Sequence, residues 1–279
     1  MVRTESGYSQ SQGVKLLEVA LQEFGPIFTL DQLKPMVEVR QLSITHLRFL
    51  ISSLASAGWI EIIKRGTYVI KSPLYAREIP SYAIAAALVH PMAISHWSAC
   101  SHHGFTTQAP KMIQASTPNK VITPEMRTGK ANSPRGRATW QAYGWEFEFI
   151  HVRRDVFWGF EKQWINSWQQ VNITDPERTA LDLIARPDIF GGVAAAIEIL
   201  ENALGQIQIT RLVEYALKYD TGSVIKRLGW ALEKLGTSNE FLENLQNYPV
   251  QRYYSLDPNH EAGSQKNTRW KIVENLRRP

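Results

Sequence analysis

Apolar residues recur along the first sixty positions with a helical period. Val14, Leu17, Leu21 and Phe24 in GVKLLEVALQEFG fall at i, i+3, i+7 and i+10, one face of a helix that Gly25 ends. FTLDQLKPMVE follows, with Thr29 placed to cap a short helix that Pro35 should cut. In LSITHLRFLISSLASAG, with Ser43 or Thr45 as cap, Ile44, Leu47, Ile51 and Leu54 repeat the spacing up to Gly58. The period then changes. WIEIIK and TYVIK flank Arg65-Gly66, which predicts a β-hairpin with a basic turn. Helix, short helix, helix, hairpin is the order of a winged helix-turn-helix.

Further along, SYAIAAALVHP and AISHWSACSHHGF predict two more helices, closed by Pro91 and Gly104. Residues 111–172 change character. Pro, Gly and basic residues alternate with MIQAST, WEFEFIHV and DVFWGF, the pattern of a small β-sheet with a basic loop near 123–137. Trp158, Trp164 and Trp168 at its end read as core or interface anchors. The chain is helical again over about 174–236. Thr174-Asp175-Pro176-Glu177 is a helix start, with Thr174 or Asp175 as cap and Ala180, Leu181 and Ile184 as the buried stripe. A turn-rich tail follows, with a strand expected at 269–275. The fold class expected is α+β: residues 1–75 as an N-terminal winged helix-turn-helix, residues 76–279 as a mixed α/β C-terminal domain.

Composition narrows the function classes. With 279 residues, 44% hydrophobic and 20% charged, the chain can bury a sizeable core. No apolar run is long enough to cross a membrane, and the first residues lack a secretory apolar segment, so a cytoplasmic protein is expected. One cysteine, Cys100, excludes an internal disulfide and a multi-cysteine zinc site. The net charge is +5. Residues 71–170 carry 11 basic and 6 acidic side chains, against 7 and 6 before them and 13 and 14 after them. The middle of the chain therefore holds the excess, which suits a polyanion.

Enzymatic chemistry is sparse. His96, His102 and His103 lie close together, but their spacing fits no zinc motif. Glu146 and Glu148 alternate on one strand and, with Asp155, suggest a metal-dependent nuclease as an alternative, without the further Asp…Glu-x-Lys run such a site wants. No P-loop, GxGxxG or GxSxG occurs. No enzyme, metal or cofactor is expected. DNA binding is better supported. In a helix-turn-helix the second helix enters the major groove. That assigns Ser43, Thr45, His46 and Arg48 to reading bases, and Lys64 and Arg65 to the backbone. Phe49 falls nearly opposite the apolar stripe, where it would touch a thymine methyl or pack on the wing. The helix is only mildly basic, so tight binding needs a homodimer on DNA or a second basic surface. Lys120, Arg127, Lys130, Arg135 and Arg137 are the candidates for that surface. The remaining alternative is a protein-interaction module whose winged helix does not touch DNA.

Five motifs in order resemble one family. They are Gly58 through Tyr68 with Arg65-Gly66-x-Tyr68; Ile94-Ser95-His96-Trp97-Ser98-Ala99 to His103-Gly104-Phe105-Thr106-x-Gln108; Ile173-Thr174-Asp175-Pro176-Glu177-Arg178-Thr179-Ala180-Leu181-Asp182 with Gly191-Gly192; Arg227-Leu228-Gly229; and Leu256-Asp257-Pro258 to Arg269-Trp270. Together these resemble the AbiEi-type antitoxins of type IV toxin–antitoxin systems, which act in abortive infection, a phage defence. The resemblance covers most of the chain, which departs from it in a longer run before the first helix. It implies a transcriptional autorepressor that binds operator DNA with inverted repeats. It also implies an antitoxin that counters a nucleotidyltransferase-like toxin, often without a stable complex, and has no enzymatic activity of its own. Within the third motif, Arg178 and Asp182 are four apart and share a helix face. They read first as a structural clamp, and as a contact with toxin or nucleic acid second.

Overall fold

The structure, a computed structural model, describes residues 4–39, 43–71, 74–129, 136–260, 263 and 265–276. It is mixed α+β. In chain order the elements are α1 (Thr4–Phe24), β1 (Ile27–Thr29), α2 (Leu30–Val39), α3 (Ile44–Ser56), β2 (Ile60–Lys64), β3 (Thr67–Ile70), α4 (Ser81–Leu88), β4 (Ala93–Ile94), α5 (His96–His102), β5 (Ile113–Thr117), α6 (Pro124–Arg127), β6 (Arg137–Ala142) and β7 (Trp145–His151). Then come β8 (Phe160–Trp164), β9 (Gln170–Thr174), α7 (Pro176–Ala185), α8 (Val193–Ala203), α9 (Ile209–Tyr219), α10 (Gly222–Lys234), α11 (Asn239–Asn247), β10 (Tyr254–Ser255), β11 (Gln265–Asn267) and β12 (Ile272–Glu274). Among the described residues no helix is long and apolar enough to cross a membrane.

Two compact units divide the chain, each discontinuous in sequence. The first takes Met1–Met92, Asn119–Phe149 and Lys162–Val171; the second takes Ala93–Pro118, Ile150–Glu161 and Asn172–Pro279.

In the first unit, α1 begins well before the predicted residue 13. Its buried face centres on Leu16, Leu17 and Ala20, with Leu21 and Phe24 only partly packed. Helix α3 buries Leu47, Leu50, Ile51 and Leu54 on the same core. Ile44 heads the expected stripe yet is exposed, because it sits on the first turn, ahead of the core contacts. Ser43 is the cap: its Oγ accepts from the His46 N–H at 3.1 Å. Ser43→Ala should therefore cost about 1 kcal/mol in a denaturant titration.

Helix α2 was expected to stop at Pro35 but runs on to Val39. Proline removes one intrahelical donor. Two features offset that loss. Thr29 and Gln32 form a reciprocal cap, with the Thr29 N–H donating to Gln32 Oε1 at 2.8 Å and the Gln32 N–H to Thr29 Oγ1 at 3.2 Å. Leu33 is fully buried on the core. The expected hairpin forms: β2 and β3 pair antiparallel around Arg65-Gly66, with β1 on the other side of β3.

In the second unit, β4 pairs antiparallel with β5 (Ile94 opposite Ala115) and parallel with β9 (Ile94 opposite Ile173). Helices α7 to α11 form one apolar core, which includes the expected Ala180, Leu181 and Ile184. The tail closes it: β10, β12 and β11 form a small sheet, and Trp270 is wholly buried.

Candidate nucleic-acid interface

Because one side of α3 is buried in the core, its opposite side is set by the helical period. Thr45, Arg48 and Phe49 stand on that side, and Phe49 is 57% exposed. The β2–β3 hairpin lies alongside. A groove of about 990 Å³ runs between helix and hairpin, lined by Thr29, Arg48, Ser52, Lys64, Arg65 and Tyr68 among others. Burial pushes the Tyr68 hydroxyl above its ordinary pKa, against the pull of the nearby Arg48 charge.

The six sequence candidates of this region differ in what they offer. Thr45, Arg48 and Arg65 are exposed. Ser43 is exposed too, though its oxygen already serves as helix cap. His46 is half-buried; its Nε2 lies 3.2 Å from Gln12 Oε1 of α1, and its ring stacks against Phe49. Lys64 was expected at the hairpin tip but turns into the first unit. Its ammonium donates to the Ala87 and Leu88 carbonyls at 3.3 and 2.9 Å, capping the end of α4. That burial lowers its pKa from the usual lysine value. The partner is 24 residues away in sequence, so no local pattern betrays it.

The second basic surface is partly described. Lys120 and Arg127 are exposed. Arg137 is engaged, its Nε donating to Glu148 Oε1 at 2.6 Å. Lys130 and Arg135 lie outside the described residues. The Arg137 pair also occupies Glu148, a carboxylate the nuclease alternative needs. Among the described residues no three His, Cys, Asp or Glu side chains gather as metal ligands. His96 is buried with Nδ1 2.8 Å from Ser95 Oγ, and His103 Nε2 donates to the Thr174 carbonyl at 2.7 Å. Cys100 is buried, and burial pushes its thiol pKa up, which disfavours the thiolate.

In the second unit, the Thr174–Asp182 motif is a buried polar network. Asp175 caps α7 with Oδ1 on the Arg178 N–H at 2.7 Å. Its Oδ2 accepts from Arg211 Nη2 at 2.9 Å and from the Tyr215 hydroxyl at 2.8 Å. Burial raises the Asp175 pKa despite these donors. Arg178, 3% exposed, donates through Nε to Asp182 Oδ1 at 2.9 Å and through Nη1 to the Val156 and Trp158 carbonyls at 2.6 and 2.9 Å. Trp158 and Tyr219 stack on its guanidinium at 4.8 and 5.5 Å. Gly159 sits at φ +74°, and a Cβ there would meet Arg178 Cβ at 2.9 Å, so the loop holding this arginine requires glycine.

The family model for the AbiEi antitoxin C-terminal domain matches residues 92–234, just over half of the chain. This chain is an AbiEi-family antitoxin. No curated protein matches it. Among solved structures, the crystal structure of the RV2827C protein from Mycobacterium tuberculosis is similar, with a TM-score of 0.62 and 16% identity over 95% of this chain and 92% of that one. At that identity the likeness speaks to the fold.

The AbiEi match ends at residue 234, yet two of its features depend on the tail. Arg227 is 4% exposed and meets only carbonyls: Leu256 O from Nε at 2.6 Å, Ile184 O from Nη1 at 2.9 Å and Ser255 O from Nη2 at 3.4 Å. Burial lowers its pKa to about 10, partly opposed by Asp257. Gly229 gives the Trp270 ring its space, and Trp270 Nε1 donates to Glu233 Oε2 at 2.6 Å. The sequence marked both as motif residues; their shared role in holding the tail comes from long-range packing.

Proposed function

We propose that this antitoxin is also the DNA-binding autorepressor of its own operon. On this reading, the segment from α1 to β3 is a winged helix-turn-helix. Helix α3 enters the major groove with Thr45 and Arg48 at base edges, and Arg65 at the hairpin tip holds a phosphate. A single observation carries the reading: α3 exposes Thr45, Arg48 and Phe49 on its solvent side, beside a hairpin whose tip carries exposed Arg65. His46 contributes at most one ring nitrogen, because the other faces Gln12. Lys64 supports the hairpin and is assigned no phosphate. A homodimer on an operator with inverted repeats supplies the affinity that one mildly basic helix lacks. The toxin countered is nucleotidyltransferase-like, and the site of action is the cytoplasm.

The test is a gel shift on the DNA upstream of the gene, with competitor DNA, over a range of salt. A specific, salt-sensitive shift is expected. Arg65→Ala should lower the slope of log K against log salt by about one, while Arg48→Ala should cost about 1–3 kcal/mol of specific binding and relax the sequence preference. Lys64→Ala should leave the slope unchanged and lower thermal stability instead. A slope that drops for Lys64→Ala and not for Arg65→Ala would reverse the assignment. Absence of a specific shift would end it. Rescue of growth on co-expression with the cognate toxin tests the antitoxin half separately.

A further inference from the structure

The C-terminal sheet has two unlike faces. Tyr254 of β10 and Ile272 of β12 lie opposite each other and pack on the apolar core of the second unit. Side chains alternate along strands, so Val273 of β12 takes the other face. Tyr253 just precedes β10 and Lys271 sits in the turn before β12 at φ +54°, and their ring contact brings these two side chains together. Lys266 joins them, since it pairs with Val273 in register. The Lys266 and Lys271 ammonium groups lie 5.4 and 5.2 Å from the Tyr253 ring centroid. Among the described residues neither lysine takes part in an ion pair. The neighbouring carboxylate, Glu274, accepts from Trp230 Nε1 at 2.8 Å and Asn267 Nδ2 at 3.2 Å. A third ammonium, that of Lys226, is held on the Leu245 and Gln246 carbonyls, and the Lys271 charge is close enough to help burial lower its pKa. Among the described residues, Lys266 and Lys271 thus bring positive charge together without an ion-pair partner, in a stretch whose overall balance is one acidic residue in excess.

We propose that this outward face binds single-stranded nucleic acid, with Tyr253 stacking on a base and Lys266 and Lys271 taking the flanking phosphates. A half-exposed aromatic ring with two ammonium groups over it, neither in an ion pair among the described residues, can meet the two needs of a single strand: the flexible lysines turn from the ring to the phosphates and leave its π-face to a base. A duplex hides its base faces and has no use for the tyrosine. The surface belongs to the second unit and α3 to the first, and its binding does not depend on operator binding.

The test uses the full chain with Arg48→Ala and Arg65→Ala, which weakens the α3 face, and a fluorescein-labelled oligouridylate of about 12 nucleotides. Fluorescence anisotropy at low salt should show binding. Tyr253→Ala should weaken it about tenfold, while Tyr253→Phe keeps it. Lys266→Ala with Lys271→Ala should lower the salt slope by about 1.4. Thermal unfolding of each variant separates lost contacts from lost fold. No binding to the oligouridylate, or binding that Tyr253→Ala and the double lysine variant leave unchanged, overturns the proposal. A preference for an unrelated duplex of equal length overturns it as well.

Discussion

Replacing Arg178 with alanine is expected to lower the stability of the second unit by about 3–5 kcal/mol, the cost of breaking a buried ion pair from one side. The substitution leaves the Asp182 carboxylate buried without its partner. It also strips the Val156 and Trp158 carbonyls of their donor and removes the cation stacked on Trp158. For a unit of this size the midpoint of thermal unfolding should fall by roughly 6–20 °C. Antitoxicity should be lost with the fold, not through a missing contact. Arg178→Met combined with Asp182→Leu should recover much of the loss, because an apolar pair of similar volume has no charge to strand. Circular dichroism melts decide the matter. A shift below about 2 °C for Arg178→Ala would mean that the network is not what holds this motif together. Recovery of stability without recovery of antitoxicity would reassign Arg178 to a contact with toxin or nucleic acid.

The second large effect is expected at Trp270. It is the largest wholly buried side chain among the described residues, and Trp270→Ala should cost about 3–5 kcal/mol. Its counterpart is Gly229, where a Cβ would lie 2.0 Å from the Trp270 Cζ3. Gly229→Ala should therefore destabilise by about 1–3 kcal/mol or more, since the ring is wedged against the helix. The two substitutions act on one space, so the double variant should be more stable than the sum of the singles predicts. Denaturant unfolding of the four proteins measures the coupling. Strict additivity would show that the ring and the glycine do not share that space.

Local pattern was a sound guide where structure is local. The helical period located α3, and Ser43 was one of its two proposed caps. Alternation around Arg65-Gly66 located the hairpin. Asp175-Pro176 marked the start of α7. Local pattern failed where a distant partner decides. Pro35 reads as a break, but a capping pair and a buried leucine carry the helix past it. Lys64 reads as a free basic tip, but the carbonyls that claim it belong to a helix two dozen residues on. Arg137 and Glu148 read as separate candidates for two chemistries and are one ion pair. The Tyr253 face is invisible to charge counting, because acidic residues elsewhere in the same stretch cancel its lysines. The family resemblance drawn from motif order is the part of the functional reading that the match to residues 92–234 establishes.

The tail has a consequence for where this antitoxin can be cut. Residues 254–256 supply two of the carbonyls that Arg227 grips, and residue 270 fills the space over Gly229. A fragment trimmed to the recognisable stretch, 92–234, would carry a buried guanidinium with most of its acceptors gone and an apolar cleft open to water. The segment by which the family is recognised is therefore shorter than the segment that can fold. A fragment meant to fold should run at least through Asn275, whose side chain bonds both the N–H and the carbonyl of Asp257.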